Sequence, residues 1–306
     1  MERAVTSFRA TPGRRPAILK YWHYYLLLTP GMLFFLVFKY LPIAGLVVAF
    51  KDYKFVNGIW GSEWVGLMWF EQLFASEGFW IALRNTVIIS LYKLAFGFPA
   101  PILLALLLNE VRNSVFKRTI QSIVIFPHFM SWVVLGGILF TLLSPSTGIL
   151  SWFGIASSPL TDPKQFRSLL VFSGIWREAG WNTVIYLAAM AGINPDLYEA
   201  AKIDGAGRFR LAWNITLPSI AGTIIILFIL RIGYLLQAGF DQVFILYNPL
   251  VYNVSDILDT YVYRVGLSMG RISFATAAGF FQSLVGMALL IGANALARRY
   301  GDRGFW

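Results

Sequence analysis

Apolar residues along this 306-residue chain gather in long blocks, with neither the two-residue alternation of a half-buried strand nor the narrow stripe of a surface helix. Six blocks stand out, at 24–48, 80–108, 120–143, 168–193, 220–238 and 275–296. Each is near the roughly 20 residues that a helix needs to cross the hydrocarbon core of a bilayer. A barrel strand would alternate apolar and polar positions, so the blocks predict an all-α integral membrane protein with six transmembrane helices and both termini on one side. Pro30, Lys39 and Pro42 interrupt the first block, and Lys93, Pro99 and Pro101 the second, so kinks are expected there. The sixth block is the cleanest.

Composition and charge sharpen this picture. Hydrophobic residues make up 58% of the chain and charged ones 13%, against roughly a quarter charged in soluble domains. The net charge of +10 has to be divided by side of the membrane before it carries meaning, and no nucleic-acid partner is implied. Lys and Arg crowd the N-terminal tail (Arg3, Arg9, Arg14, Arg15, Lys20), the segments 110–119 and 194–219, and the tail from Arg298, whereas acids outnumber them in the intervening loops. The positive-inside rule places the first set in the cytoplasm, giving an N-in, C-in topology. The expected division is a basic cytoplasmic tail at 1–23, a transmembrane domain at 24–298 and a cytoplasmic tail at 299–306. Residues 1–20 lack the short apolar core and small-residue cleavage site of a signal peptide. Trp60, Trp64, Trp69 and Trp80 crowd the first external segment, where such rings favour the headgroup level.

Several chemistries find no support. There are no cysteines, no GxxxxGK[ST] loop to cradle nucleotide phosphates and no GxSxG nucleophile turn. His23 and His128 are too few and too far apart to suggest a metal site, and both are read as structural.

One polar segment has unusual internal order. In 194–218, Asn194 can cap a helix with Pro195 in its first turn, and Leu197, Ala200 and Ala201 share a face. Gly205 and Gly207 permit a turn, a second amphipathic piece follows from Arg208 to Trp213, and Pro218 is expected to end it. Two short helices joined at glycines leave an apolar face with nothing obvious in the chain to cover it, which implies a partner protein. Glu199-Ala200-Ala201, then Gly205, then Ile215, Leu217 and Pro218 occupy every position of the signature loop of ABC importer permeases, and the chain resembles that family. A lone Glu-Ala-Ala would be ordinary helix-forming sequence, but the spacing of all seven positions is not. Phe38-Lys39-Tyr40-Leu41-Pro42, Phe98-Pro99-Ala100-Pro101, Leu108-Asn109-Glu110-Val111 and Tyr261-Val262-Tyr263-Arg264 extend the resemblance to the oligosaccharide and polysaccharide branch, the LplB-like group.

The resemblance implies a type I importer fold in the cell membrane, a second homologous permease, two ATP-binding subunits and an extracellular binding protein. It further implies that 194–218 is the coupling helix, with Glu199, Ala200, Ala201, Asp204, Gly205, Ile215, Leu217 and Pro218 as its contact residues. No cofactor is expected on this chain, with ATP and Mg in the partner subunits.

Charges inside spans are costly and mark functional candidates. Lys93 in the second span, Arg177 and Glu178 in the fourth and Arg231 in the fifth could share one layer near the midplane. Glu178, Asn182 and Tyr186 repeat at four-residue spacing on the fourth helix, and Arg231 and Tyr234 are neighbours on the fifth. Aromatic rings suit sugar faces and amides or charges suit hydroxyls, so the set fits an oligosaccharide path. The alternative is internal pairing, with Glu178 bound to Arg231 or Lys93. Three cations against one anion motivate an acidic oligosaccharide such as a uronate. An intramembrane enzyme would need Glu178, Asp241 and Arg177 as acid, base and anion clamp, and a channel would need symmetric pore elements; neither pattern is present. The stretch from Gln237 to Arg271 reads as either a solvated loop or a docking surface.

Overall fold

The computed structural model describes residues 21–155 and 157–301. The basic side chains of residues 1–20 and the last residues, 302–306, lie outside that range. The described chain is mostly helical, with one two-residue antiparallel pairing of β1 (Lys51–Asp52) and β2 (Glu63–Trp64).

Helix α1 (Trp22–Phe35) continues through a π turn at Leu36–Tyr40 and a 3-10 stretch at Leu41–Phe50. Short α2 (Met68–Ala75) leads into α3 (Glu77–Tyr92), whose N-terminus is capped by Ser76; a π turn at Lys93–Gly97 joins α3 to α4 (Pro99–Asn109). The interruptions expected in both blocks are therefore present, but they widen the helix without breaking it. In each case the π turn ends two residues before a proline, Pro42 or Pro99. Proline cannot donate to the carbonyl four residues back and its ring crowds that carbonyl, and the wider turn relieves both demands while keeping the backbone bonded.

The third block departs from the expectation of one continuous helix. Helix α5 (Ser114–Ile125), capped by Asn113, passes through a 3-10 turn at Phe126–Phe129 containing Pro127, and α6 (Trp132–Leu142) restarts from its own cap, Ser131, at an angle of 104°. A new cap signal inside an apolar run outweighs the run itself. Helix α7 (Pro163–Ala191) spans 29 residues from its Asp162 cap, beginning earlier than the apolar block.

The polar segment after it folds as expected at its start. Asn194 Oδ1 accepts from Asp196 N at 3.0 Å and opens α8 (Pro195–Ile203); Gly205, at φ 75°, turns the chain into α9 (Arg208–Leu211). Its end is different: the helix runs through another π turn, Ala212–Thr216, and past Pro218, bending by 64° at Ile220 into α10 (Ala221–Gly233). Helix α10 stops at Gly233, so Tyr234–Ala238 of the fifth block lies beyond the helix. The last helix, α13 (Ile272–Gly301), is continuous.

The stretch from Gln237 to Arg271 is no solvated loop. It folds into α11 (Phe240–Leu246), α12 (Leu258–Tyr263) and shorter turns, and buries Val243, Leu246, Val251, Ile257 and Leu258 completely. Polar anchors fix it: buried Asn85 donates to the carbonyls of Asn253 (3.2 Å) and Asp256 (3.1 Å), accepts from Arg167 (2.9 Å), and Arg167 also donates to Val254 O (3.1 Å). Arg264 forks onto Asp256, which also accepts from Thr260 at 2.8 Å, and the hydrogen-bonded carboxylate holds the guanidinium above its ordinary pKa.

Among the described residues three helices are long and apolar enough to cross a membrane, Trp22–Phe50, Glu77–Asn109 and Ile272–Arg299; counting each bent pair as one span gives five. Helix α7 has the length but carries Arg177, Glu178 and Asn182 inward. Nearly every large apolar side chain of α1 is exposed, as a helix facing lipid or another membrane subunit requires.

Close packing of α5 on α7 supplies a test. A Cβ at Gly180 would overlap the Val124 carbonyl, whereas nothing lies within 4 Å of one at Gly137. Gly180→Ala is expected to destabilise the purified protein by about 1–3 kcal/mol and Gly137→Ala to have little effect, as read by thermal unfolding in detergent.

Candidate functional site

A cavity of about 430 Å³ opens where the π turn after α3, the middle of α7 and the end of α10 meet. All seven polar and charged residues singled out inside the spans line it: Lys93, Arg177, Glu178, Asn182, Tyr186, Arg231 and Tyr234. Phe98, Trp132, Gln237 and Gln242 complete its polar and aromatic wall, and Glu178 is the single carboxylate on it among the described residues. The four-residue spacing on α7 brings Glu178, Asn182 and Tyr186 to one face. Tyr234 reaches the cavity from just beyond the helix end.

The charges are partnered differently from either pairing considered above. Glu178 bonds its own neighbour Arg177 and lies 3.2 Å from His128 Nδ1. The Arg177 guanidinium further donates to the Met130 carbonyl (3.3 Å) and the His128 carbonyl (3.4 Å) and stacks over Trp132, 5.2 Å from its ring centre. Those two carbonyls belong to the bend between α5 and α6, where helical donors are lacking, so Arg177 satisfies the groups that the break exposes. His128 lies flat on Trp181, with centroids 4.6 Å apart.

Lys93 bonds no carboxylate. Its ammonium donates to Ala238 O at 2.6 Å and to the Gln242 side-chain oxygen. Gln242, 2% exposed, donates in turn to Leu170 O (2.7 Å) and Ser173 Oγ (2.9 Å). Gly239, at φ 97°, gives the chain room to turn beside Lys93: a Cβ there would stand 3.1 Å from the ammonium. Arg231 is exposed toward the cavity and, like Asn182, Tyr186 and Tyr234, has no side-chain hydrogen bond or ion pair among the described residues.

Sequence reasoning missed Trp132 and Gln242 and read His128 as structural, which its packing on Trp181 fits. His128 stands beside Pro127 and three residues before the Ser131 cap, a bend signal that was legible; Gln242 lay in a stretch read as loop, and nothing local marks it as buried.

The second site is the elbow of α8 and α9. Glu199, Ala200, Asp204, Gly205 and Pro218 are exposed, while Ala201, Ile215 and Leu217 are half-buried. Tyr198 Oη and Thr216 Oγ1, 2.9 Å apart, tie the first helix to the segment following the second. Ile203 is 87% exposed and Phe209 82%, and Phe209 stacks with Trp213. Such an apolar display on a polar segment is an unfinished interface.

Long apolar helices, a polar cavity within them and an uncovered elbow between two of them define a membrane transport subunit that works against another protein. The chain belongs to the binding-protein-dependent transport system inner membrane component family, whose pattern matches residues 97–302. It is 48% identical to protein LplB of Bacillus subtilis over 92% of this chain and 90% of that one. It is 47% identical to the polygalacturonan/rhamnogalacturonan transport system permease protein YteP of the same organism, over 92% and 89%. Among solved structures, a bacterial ABC transporter involved in the import of the acidic polysaccharide alginate superposes with a TM-score of 0.86 at 42% identity, covering 93% of this chain and 98% of that one. A bacterial alginate ABC transporter in complex with an alginate pentasaccharide-bound periplasmic protein likewise superposes with a TM-score of 0.86 at 42% identity, covering 94% of this chain and 98% of that one. The fold is that of a type I ABC importer permease, a carbohydrate-transport subunit.

The Gln242 network yields a prediction. Gln242→Leu leaves the Lys93 ammonium, Leu170 O and Ser173 each short of a partner, and a loss of about 2–3 kcal/mol is expected. Gln237→Leu, at an exposed position on the same wall, is expected to stay within about 0.5 kcal/mol. Thermal unfolding of the two variants checks the difference.

Proposed function

We propose that this chain is one of two permease subunits of an ATP-driven importer of oligosaccharides, with acidic glycans as cargo. It crosses the cytoplasmic membrane six times, α5–α6 and α9–α10 each forming one bent crossing and α7 a further one, with both termini inside. The elbow of α8 and α9 faces the cytoplasm and docks on an ATP-binding subunit. ATP and Mg²⁺ bind in the two such partners, and an extracellular binding protein delivers the cargo.

The elbow is the observation that carries this reading. Seven signature positions coincide with a rigid turn at Gly205 and with exposed Leu197, Ile203, Phe209 and Trp213. Ala200 and Ala201 permit close approach of a partner, and Glu199 supplies an exposed polar contact. Movement of the partner would push on α8 and pass through the Tyr198–Thr216 contact to the bend at Ile220 and so to α10, one wall of the cavity. The cargo class is supported by the polymers for which YteP and the alginate transporter are named, polygalacturonan/rhamnogalacturonan and alginate, and by the cationic excess on the cavity wall. An intramembrane hydrolase has little support, since the cavity wall offers one carboxylate and Arg177 already holds it.

Two outcomes test the elbow. Because the chain has no cysteine, Ile203→Cys provides a unique label; reaction with a membrane-impermeant maleimide is expected only from the cytoplasmic side, and labelling from outside would overturn the topology. Gly205→Val forces a side chain into positive φ and is expected to reduce co-purification of the ATP-binding subunit about tenfold while the permease remains in the membrane.

A further inference from the structure

We infer that Arg231 is the residue that reads a carboxylate on the cargo, whereas Lys93 and Arg177, the other cations of the cavity, are structural. The inference rests on the cavity being the oligosaccharide path. It follows from how each cation spends its donors. Arg177 is committed to Glu178, to two carbonyls at the α5–α6 bend and to the face of Trp132. Lys93 is committed to Ala238 O and Gln242. Arg231 has five N–H donors, none of them engaged among the described residues, and it stands exposed on the cavity wall.

An unpaired guanidinium inside a membrane protein is costly and asks for an anion. Arg231 also lines a small recess with Lys93, Tyr234 and Gln237, so two basic side chains stand close together, and none of the residues lining that recess is a carboxylate. A ligand bringing negative charge into the larger cavity, where Arg231 is exposed, would relieve the repulsion. The planar fork of Arg matches a carboxylate with two parallel bonds, which a lysine cannot reproduce. Neighbouring Tyr234 offers a ring for the sugar face and Asn182 a free amide for hydroxyls. A uronate residue presents these groups together: a carboxylate, hydroxyls and an apolar ring face.

The test uses the whole importer, reassembled in proteoliposomes with its binding protein and ATP-binding subunits. Two cargoes are compared: a uronate oligosaccharide and the same chain with part of its carboxyls reduced to alcohols. One binding protein delivers both, so its own preference cancels when mutant is divided by wild type. Arg231→Gln is expected to lower the ratio of uronate to reduced-chain uptake about tenfold, the weight of one charge-assisted hydrogen bond. Arg231→Lys, which keeps the charge and loses the fork, is expected to fall between. Equal losses for both cargoes, or an unchanged ratio, would overturn the assignment of Arg231 and leave the oligosaccharide path standing. A wild-type complex that hydrolyses ATP and carries neither chain would overturn the path, and the inference with it.

Discussion

The bond from the Lys93 ammonium to the Ala238 carbonyl organises much of the interior. It joins positions 145 residues apart in the chain, and it does so where α10 has ended and the backbone has carbonyls without helical donors. In lipid or in a dry bundle such groups must find a partner inside the protein. A lysine at the edge of a π turn serves the need: it carries three donors on a long stem, and Gln242 takes up a second of them while anchoring itself to α7 through Leu170 and Ser173. Three helices, α3, α7 and α11, are thereby tied beside the cavity.

The same accounting explains which parts of the architecture were legible in sequence. The Asn194 cap and the turn at Gly205 are local matters, decided by residues within a few positions of one another, and the structure has them as the sequence predicts, whereas the third apolar block is broken and the fifth ends early. The bend between α5 and α6 was written in Pro127 and Ser131 but was masked by the apolarity around them. Periodicity brought the α7 stripe and the flanking charges to one cavity, because four-residue spacing on a long helix leaves little freedom. Pairing was not legible. Glu178 meeting His128, and Lys93 meeting a carbonyl 145 residues away, depend on contacts that no short stretch of sequence encodes, and nothing marked the adjacent Arg177 as the partner of Glu178 over Arg231 or Lys93.

The segment between α10 and α13 shows the opposite failure. Its Asp256, Asp259, Asn248 and Arg264 read as solvent-facing polarity, yet Asp256 is buried beneath Arg264 and Asn248 donates to Leu160 O. Polar side chains here replace the regular hydrogen bonding that short helices cannot supply at their ends. The result is a firm cap over α3 and α7, in contrast to α1, whose apolar surface has little of this chain against it.

Three of the π turns share a register: each closes two positions ahead of Pro42, Pro99 or Pro218. One additional residue per turn advances the helix by about 100°. Each turn is thus a phase shifter, and deletion of exposed Ala95 would carry the Lys93 side of α3 out of step with everything after Pro99 while leaving Lys93 itself in the chain. The inner lining of the cavity is in this sense a matter of counting as much as of chemistry.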